Sequence, residues 1–226
     1  MSGRTRRTHG VVRWPSLLLP SLDQILIAFV VLIGSLTVHE AAHAWSADLL
    51  GDPTASRQGR VSLNPLVHID PIGTVLFPLL AMVTQLPLIG WAKPVPVSPE
   101  YLGRGWRQKF MLIAAAGPAS NLVLAVVAAV GIHLGLASTG TALDQSMARL
   151  LFTALTLNVL LAVFNMLPVP PLDGGNVLAG LLPGRAADLL DRLRPFGFLI
   201  LYALLLTGVF ARLVEPPATA IVSWLY

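Results

Sequence analysis

Fifteen consecutive uncharged residues, Gln24 to Val38 (QILIAFVVLIGSLTV), run directly into His39-Glu40-Ala41-Ala42-His43. Such a run forms a helix suited to hydrocarbon, where an acid or base costs on the order of 2.5–3.5 kcal/mol even on lenient insertion scales. Three ionisable groups in five residues at its end therefore need a reason. Spaced i, i+4, His39 and His43 share one helix face, with Cβ atoms roughly 5–6 Å apart. Two imidazoles so placed can hold one Zn2+, with Glu40 beside the metal as general base. The bland alternative is a pair of core histidines with a snorkelling glutamate. It is the weaker reading, because ionisable residues inside a membrane are functional by default.

Composition supports that setting. Of 226 residues, 55% are hydrophobic and 12% charged, where soluble domains carry about 25% charged residues. The chain reads as an integral membrane protein in a lipid bilayer. Its net charge of +4 comes from arginines at segment ends, which suits lipid headgroups and topology control and argues against nucleic acid. With no cysteine, disulfides and thiolate metal sites are excluded, and any metal must use His, Asp or Glu.

The pattern predicts an all-α polytopic fold of about five to six apolar segments forming one membrane-embedded core, 1–226. A basic tail, 1–22, precedes the histidine-bearing helix at 23–49. Pro78 and Pro87 break a segment at 71–90, which is one candidate for a re-entrant loop. A helix at 110–137 carries GPASN, another at 147–175 ends in NMLPVPPLDGG, and a last helix with its tail occupies 196–226. The N-terminal arginines followed by an apolar run mimic a secretion signal. No A-x-A-like cleavage site follows, and Arg6-Arg7 reads as topology charge.

A catalytic zinc needs a third protein ligand and one open position. His9 lies in the arginine-rich tail. His133, in GIHLG, has no acidic neighbour and reads as polar glue beside a Gly131-x-x-x-Gly135 helix contact. His68 and Asp70 sit at a segment start and read as capping residues. Asp173 stands apart. Pro168, Pro170 and Pro171 prevent regular helix before it, and Gly174-Gly175 allow a sharp turn after it. Irregular backbone at membrane depth is tolerated only where it lines protein or a water cavity, and a carboxylate there makes a good third ligand.

These motifs together strongly resemble the site-2 protease family of intramembrane zinc metalloproteases, over roughly Leu36 to Pro183. HEAAH resembles the family's HExxH, NMLPVPPLDGG its NxxPxxxLDG, and GPASN its GPxxN. GDPTA, GRVSLNPLVHIDPIG and GWAKPVPV resemble the compact prokaryotic subgroup without PDZ or CBS domains. The resemblance implies one Zn2+ per chain on His39, His43 and Asp173, with Glu40 as catalytic base. It implies that Asn165 contacts substrate or oxyanion, and that Asn121, Trp91, Lys93 and Pro94 bind substrate. It also implies a membrane-associated β-hairpin before the GPxxN helix. Gly90 to Pro96 suits its edge, since proline is confined to edges and bulges. The implied substrate is a transmembrane protein or peptide, and the implied location a multi-pass place in a prokaryotic plasma membrane.

Topology leaves two arrangements open. If every segment crosses, HEAAH and Asp173 approach opposite membrane faces. Either 71–90 is re-entrant, so that both ligand-bearing segments end on one side, or Asp173 folds back toward a midplane HEAAH. Pro78 and Pro87 favour the first. The alternative function is a transporter or metal carrier, since intramembrane His and Asp beside broken helices also mark ion pathways. A structural zinc scaffold is a third, and it has no need of Glu40.

Overall fold

The computed structural model describes residues 21–84, 90–136 and 141–226. Ten α-helices follow one another there: α1 (Leu22–Leu49), α2 (Thr54–Arg57), α3 (Phe77–Thr84), α4 (Pro99–Leu102), α5 (Trp106–His133), α6 (Ala142–Asn165), α7 (Asp173–Leu181), α8 (Gly184–Leu193), α9 (Gly197–Leu206) and α10 (Val209–Leu225). Among the described residues there is no β-strand. Of the hairpin that the resemblance implies before the GPxxN helix, residues 90–98 run as irregular extended chain without strand, and residues 85–89 lie outside the described residues.

Local sequence explains where the long helices begin. The Ser21 N–H donates to Gln24 Oε1 at 3.0 Å, closing the first turn of α1. Thr141 and Asp144 do the same reciprocally for α6, the Thr141 N–H reaching Asp144 Oδ2 at 2.8 Å and the Asp144 N–H reaching Thr141 Oγ1 at 3.2 Å. Gly103 and Gly105, at φ of 64° and 74°, turn the chain into α5. Helix α5 thus starts four residues earlier than its apolar run.

Among the described residues, three helices, α1, α5 and α6, are long and apolar enough to cross a membrane. The stretch Gly184–Leu206 pairs with α10 as a fourth candidate pass, bent by 79°. Among the described residues, three or four of the five to six expected apolar segments qualify as spans, for two reasons. Pro71–Thr84 is shorter than the roughly 20 residues a span requires. Gly208, at φ 71°, breaks the last apolar run in two.

Contacts fix the helix directions. Near the start of α5, the Ile113 carbonyl meets His43 near the end of α1, and further along Asn121 reaches the Ser35 carbonyl. These two helices are antiparallel. Asn121 also bonds Asn158, and Gly131 packs on Leu151, so α5 and α6 are antiparallel as well. An exposed Asp23–Arg149 pair at 2.6 Å joins the beginnings of α1 and α6. Hence α1 and α6 end, and α5 begins, at one end of the bundle. The chain leaves that end at Leu50 and is back at it by Leu102, with Lys109 Nζ donating to the carbonyls of both. HEAAH and the chain after α6 therefore lie toward the same end of the bundle, as the first of the two arrangements requires.

Small residues let the helices approach. Ala125, Ala128 and Ala129 of α5 pack against Leu155 and Val159 of α6 and Ala218 and Val222 of α10. Association by close backbone contact is the usual route where the surroundings are as apolar as the helices. Gly131 does make a helix contact, against Leu151, whereas Gly135 at φ 68° ends α5. His133 donates to the Leu225 carbonyl at 2.9 Å and ties the end of α5 to the end of α10. Large apolar side chains such as Leu26, Val30, Val123, Val127 and Leu206 cover the outside. An apolar perimeter of this kind belongs to a membrane protein.

Candidate metal centre

Three ligand-type atoms converge between α1 and α7. His39 Nε2 and His43 Nε2 stand 3.0 Å apart. Asp173 Oδ2 lies 3.1 Å from the first and 3.3 Å from the second. His39 and His43 are buried, and Asp173 is partly so. The two imidazoles meet edge to face, 4.6 Å between centroids, as the i, i+4 spacing predicts. Asp173 is the first residue of α7, where the positive end of the helix dipole favours a carboxylate.

The protons on the two rings are assigned by their other nitrogens. His43 Nδ1 lies 2.7 Å from the Ile113 carbonyl, which can only accept. Nδ1 therefore carries a proton, and in the neutral ring Nε2 presents a lone pair. His39 Nδ1 lies 2.6 Å from Asn121 Oδ1 and is placed the same way. Three acceptors thus point at one spot, and Asp173 Oδ2 is buried without a hydrogen bond. Such a set repels itself unless a cation sits among it, so these residues fit a divalent metal. An outer partner on the second nitrogen of each ligating imidazole is also the usual arrangement in metal sites. Glu40, next to His39 on α1, is buried, and among the described residues its Oε2 has no partner.

Two glycines make room for this arrangement. A Cβ at Gly117 would stand 2.3 Å from His43 Nε2 and 2.6 Å from His39 Cε1, so α5 can pass beneath both rings only as glycine. A Cβ at Gly174 would stand 2.3 Å from the Met166 carbonyl oxygen and 2.4 Å from that of Leu167. The proline-broken loop can therefore fold tightly under α7 and present Asp173 upward.

The other sequence-predicted site residues are placed as follows. Asn121 is fully buried beneath His39 and away from any open surface. Asn165 ends α6 and donates from Nδ2 to the Leu161 carbonyl at 3.0 Å. Trp91, Lys93 and Pro94 lie in the extended segment. The Trp91 N–H donates to the Gly73 carbonyl at 3.0 Å, and the Lys93 N–H to that of His68 at 2.9 Å. Trp91 also stacks edge-on with Phe77 and Phe198.

Sequence reasoning missed four contributors: Gly117, the Ile113 carbonyl, Asn158 and Arg60. The buried Arg60 guanidinium donates to the carbonyls of Val67, Lys93 and Pro94, clamping residues 60–68 to the extended segment. Burial pulls its pKa below the ordinary value, with the negative charge of Glu40 opposing. A hydrogen bond to a charged group is worth about 1.5–3 kcal/mol. The expected result for Arg60→Met is faster hydrogen–deuterium exchange at residues 91–97 with unchanged exchange in α1 and α5. Equal protection in both proteins would refute the clamp. The signal was available in principle, since an arginine in a polar turn between apolar segments needs carbonyls to bind.

A bundle of apolar helices holding a buried His-His-Asp cluster beside a glutamate defines a membrane protein with a metallohydrolase-type centre. Comparison with known proteins agrees. The model of peptidase family M50 matches residues 130–208, which include Asp173. YwhC of Bacillus subtilis (strain 168), named as a zinc metalloprotease, is 35% identical over 199 residues, covering 84% of this chain and 85% of its own. Rip2 of Mycolicibacterium smegmatis, also named as a zinc metalloprotease, is 35% identical over 182 residues, 79% of this chain and 66% of its own. Rip2 of Mycobacterium tuberculosis is 32% identical over 141 residues, 62% of this chain and 51% of its own. No solved structure matches. The chain belongs to peptidase family M50, the site-2 protease family, and a transporter or metal carrier is not favoured.

Proposed function

We propose that this chain is a multi-pass zinc endopeptidase of a prokaryotic plasma membrane that hydrolyses peptide bonds within or near transmembrane segments of membrane-protein substrates. The observation that carries this reading is the convergence of His39 Nε2, His43 Nε2 and Asp173 Oδ2 beside the unpartnered Glu40 carboxylate. Zinc held by those three residues would supply Lewis acidity, acidifying a water and polarising the scissile carbonyl. Glu40 Oε2, with no partner among the described residues, takes the proton of the attacking water and returns it to the leaving amine. Asn121 and the Ile113 carbonyl hold the two imidazoles in the tautomer that keeps both Nε2 lone pairs turned inward. Asn165 is proposed to contact substrate or the developing oxyanion, which requires its Nδ2 to leave the Leu161 carbonyl.

The substrate helix must unwind before a bond is exposed, and an unwound strand can add to an extended edge. Trp91 and Lys93 direct their backbone toward Gly73 and His68. By the two-residue alternation of extended chain, Ala92 directs its own toward the opposite side. That side is the proposed docking edge, with Trp91, Lys93 and Pro94 flanking it. Orientation follows from charge: Arg104, Arg107, Lys109, Arg185, Arg192 and Arg194 gather near the start of α5 and on α8, which the positive-inside rule assigns to the cytosolic face.

The test is metal content and cleavage measured together. Detergent-purified wild type is expected to hold one zinc per chain and to cut labelled transmembrane-helix peptides. Asp173→Ala, which removes the one ligand outside α1, is expected to lose both. Wild-type protein that binds no zinc, or Asp173→Ala that cleaves normally, would sink the reading.

A further inference from the structure

Two asparagines, each with little or no exposure to solvent, lie one behind the other under His39. Asn121 Nδ2 donates to Asn158 Oδ1 at 2.9 Å, and Asn158 Nδ2 donates to the Ala154 carbonyl of its own helix at 2.8 Å. The direction of this chain is forced from its far end. A backbone carbonyl accepts only, so Asn158 must turn its amino group to Ala154 and its oxygen to Asn121. Asn121 must then turn its amino group to Asn158 and its oxygen to His39 Nδ1, 2.6 Å away. His39 Nδ1 must donate. Its Nε2 is left as a lone pair facing His43 and Asp173. The Ser35 carbonyl also faces Asn121 Nδ2, but at 3.5 Å, near the far limit for a hydrogen bond.

We propose that Asn158 is a positioning residue of the metal centre: through the Asn121 amide it fixes which nitrogen of His39 carries the proton. The inference rests on the metal reading of that site. With Asn158 gone, the Asn121 amide can flip and offer Nδ2–H to His39 Nδ1, which then accepts. The ring proton moves to Nε2, where a metal must displace it. Which imidazole nitrogen is protonated is set by the bond the other makes, and here that setting is transmitted from α6 across α5 to α1. A residue that only glued α5 to α6 would need no particular direction of bonding.

The experiment uses the full-length protein in detergent and zinc alone as probe, with affinity read by competition against a coloured chelator. Asn158→Leu is expected to weaken zinc binding about 10–100-fold, the range for outer partners of metal ligands. Asn121→Asp provides the decisive background, because a carboxylate offers His39 only acceptors and needs no partner to orient it. There, adding Asn158→Leu is expected to leave zinc affinity unchanged. Asn158→Asp, whose neutral form keeps an acceptor for Asn121 and a donor for Ala154, is expected to bind like wild type.

Equal losses from Asn158→Leu in both backgrounds would overturn the proposal and leave a packing role. So would Asn158→Asp binding as weakly as Asn158→Leu. If Asn158→Leu alone does not fold, Asn158→Asp and the N121D/N158L protein decide, with weaker binding than N121D counting against. Absence of zinc from wild type would instead remove the metal reading on which the inference stands.

Discussion

Glu40→Gln is expected to keep its zinc and lose cleavage by about 10²–10⁴-fold, the range for loss of a general acid–base group. The two side chains have nearly the same shape, so the buried position beside the ligands stays filled. Glu40 supplies none of the three converging atoms, and its Oε2 makes no hydrogen bond among the described residues. The amide therefore breaks nothing structural that the carboxylate held. What it cannot do is accept a proton. Zinc content by mass spectrometry or atomic absorption, run beside peptide cleavage, separates the two effects. Cleavage near the wild-type rate would remove Glu40 from the chemistry. Loss of zinc would make it a ligand.

Gly117→Ala is expected to lower zinc affinity by more than about 100-fold, the upper end of what outer-shell changes cost. The added methyl would lie 2.3 Å from His43 Nε2 and 2.5 Å from its Cε1, with His39 Cε1 at 2.6 Å. None of these atoms belongs to a flexible tip. Both rings are pinned at Nδ1, by the Ile113 carbonyl and by Asn121. Either a ligand leaves its place or α5 shifts away from α1. Overpacking costs typically 1–3 kcal/mol in stability, so the bundle survives while the site does not. Circular dichroism checks the fold and chelator competition checks the metal. Wild-type affinity in this variant would show that the helices can separate freely, contrary to the packing described.

Much of the centre was legible in the sequence. HEAAH declares its own geometry, because helical spacing alone brings His39 and His43 together. Asp173 was legible through its setting, a carboxylate in a proline-broken stretch after a long apolar helix. The contributions of Gly117 and Asn121 were not, although both belong to the recognised GPASN motif. A glycine's role is defined by what passes over it, and no local pattern says that two imidazoles do. Asn121 carries a substrate role only through the resemblance; its neighbours in the fold, His39 and Asn158, come from two other helices. The number of spans was hard to read for a related reason. Hydropathy registers Pro71–Thr84 as apolar, and Pro78 and Pro87 only suggest a return, whereas the contacts of α1 with α5 place Leu50 and the start of α5 at one end of the bundle.

The loop that ends α6 and the helix that opens with Asp173 give an ion at this centre a mechanical role as well. His39 and His43 belong to the first helix of the chain, Asp173 to its seventh. An ion shared by them is a cross-link between distant parts of one polypeptide, comparable to a covalent staple but reversible. Whatever free energy the ion gains on binding the folded bundle is added to the stability of that bundle. At a free ion concentration one hundred times the dissociation constant, the gain is about 2.7 kcal/mol. Stripping the ion would remove that link between α7 and α1 and leave α7 held by its packing on α5, where Gly180 meets Met111. Resistance to heat or to proteolysis after Leu167 would then track ion supply in the surrounding cell.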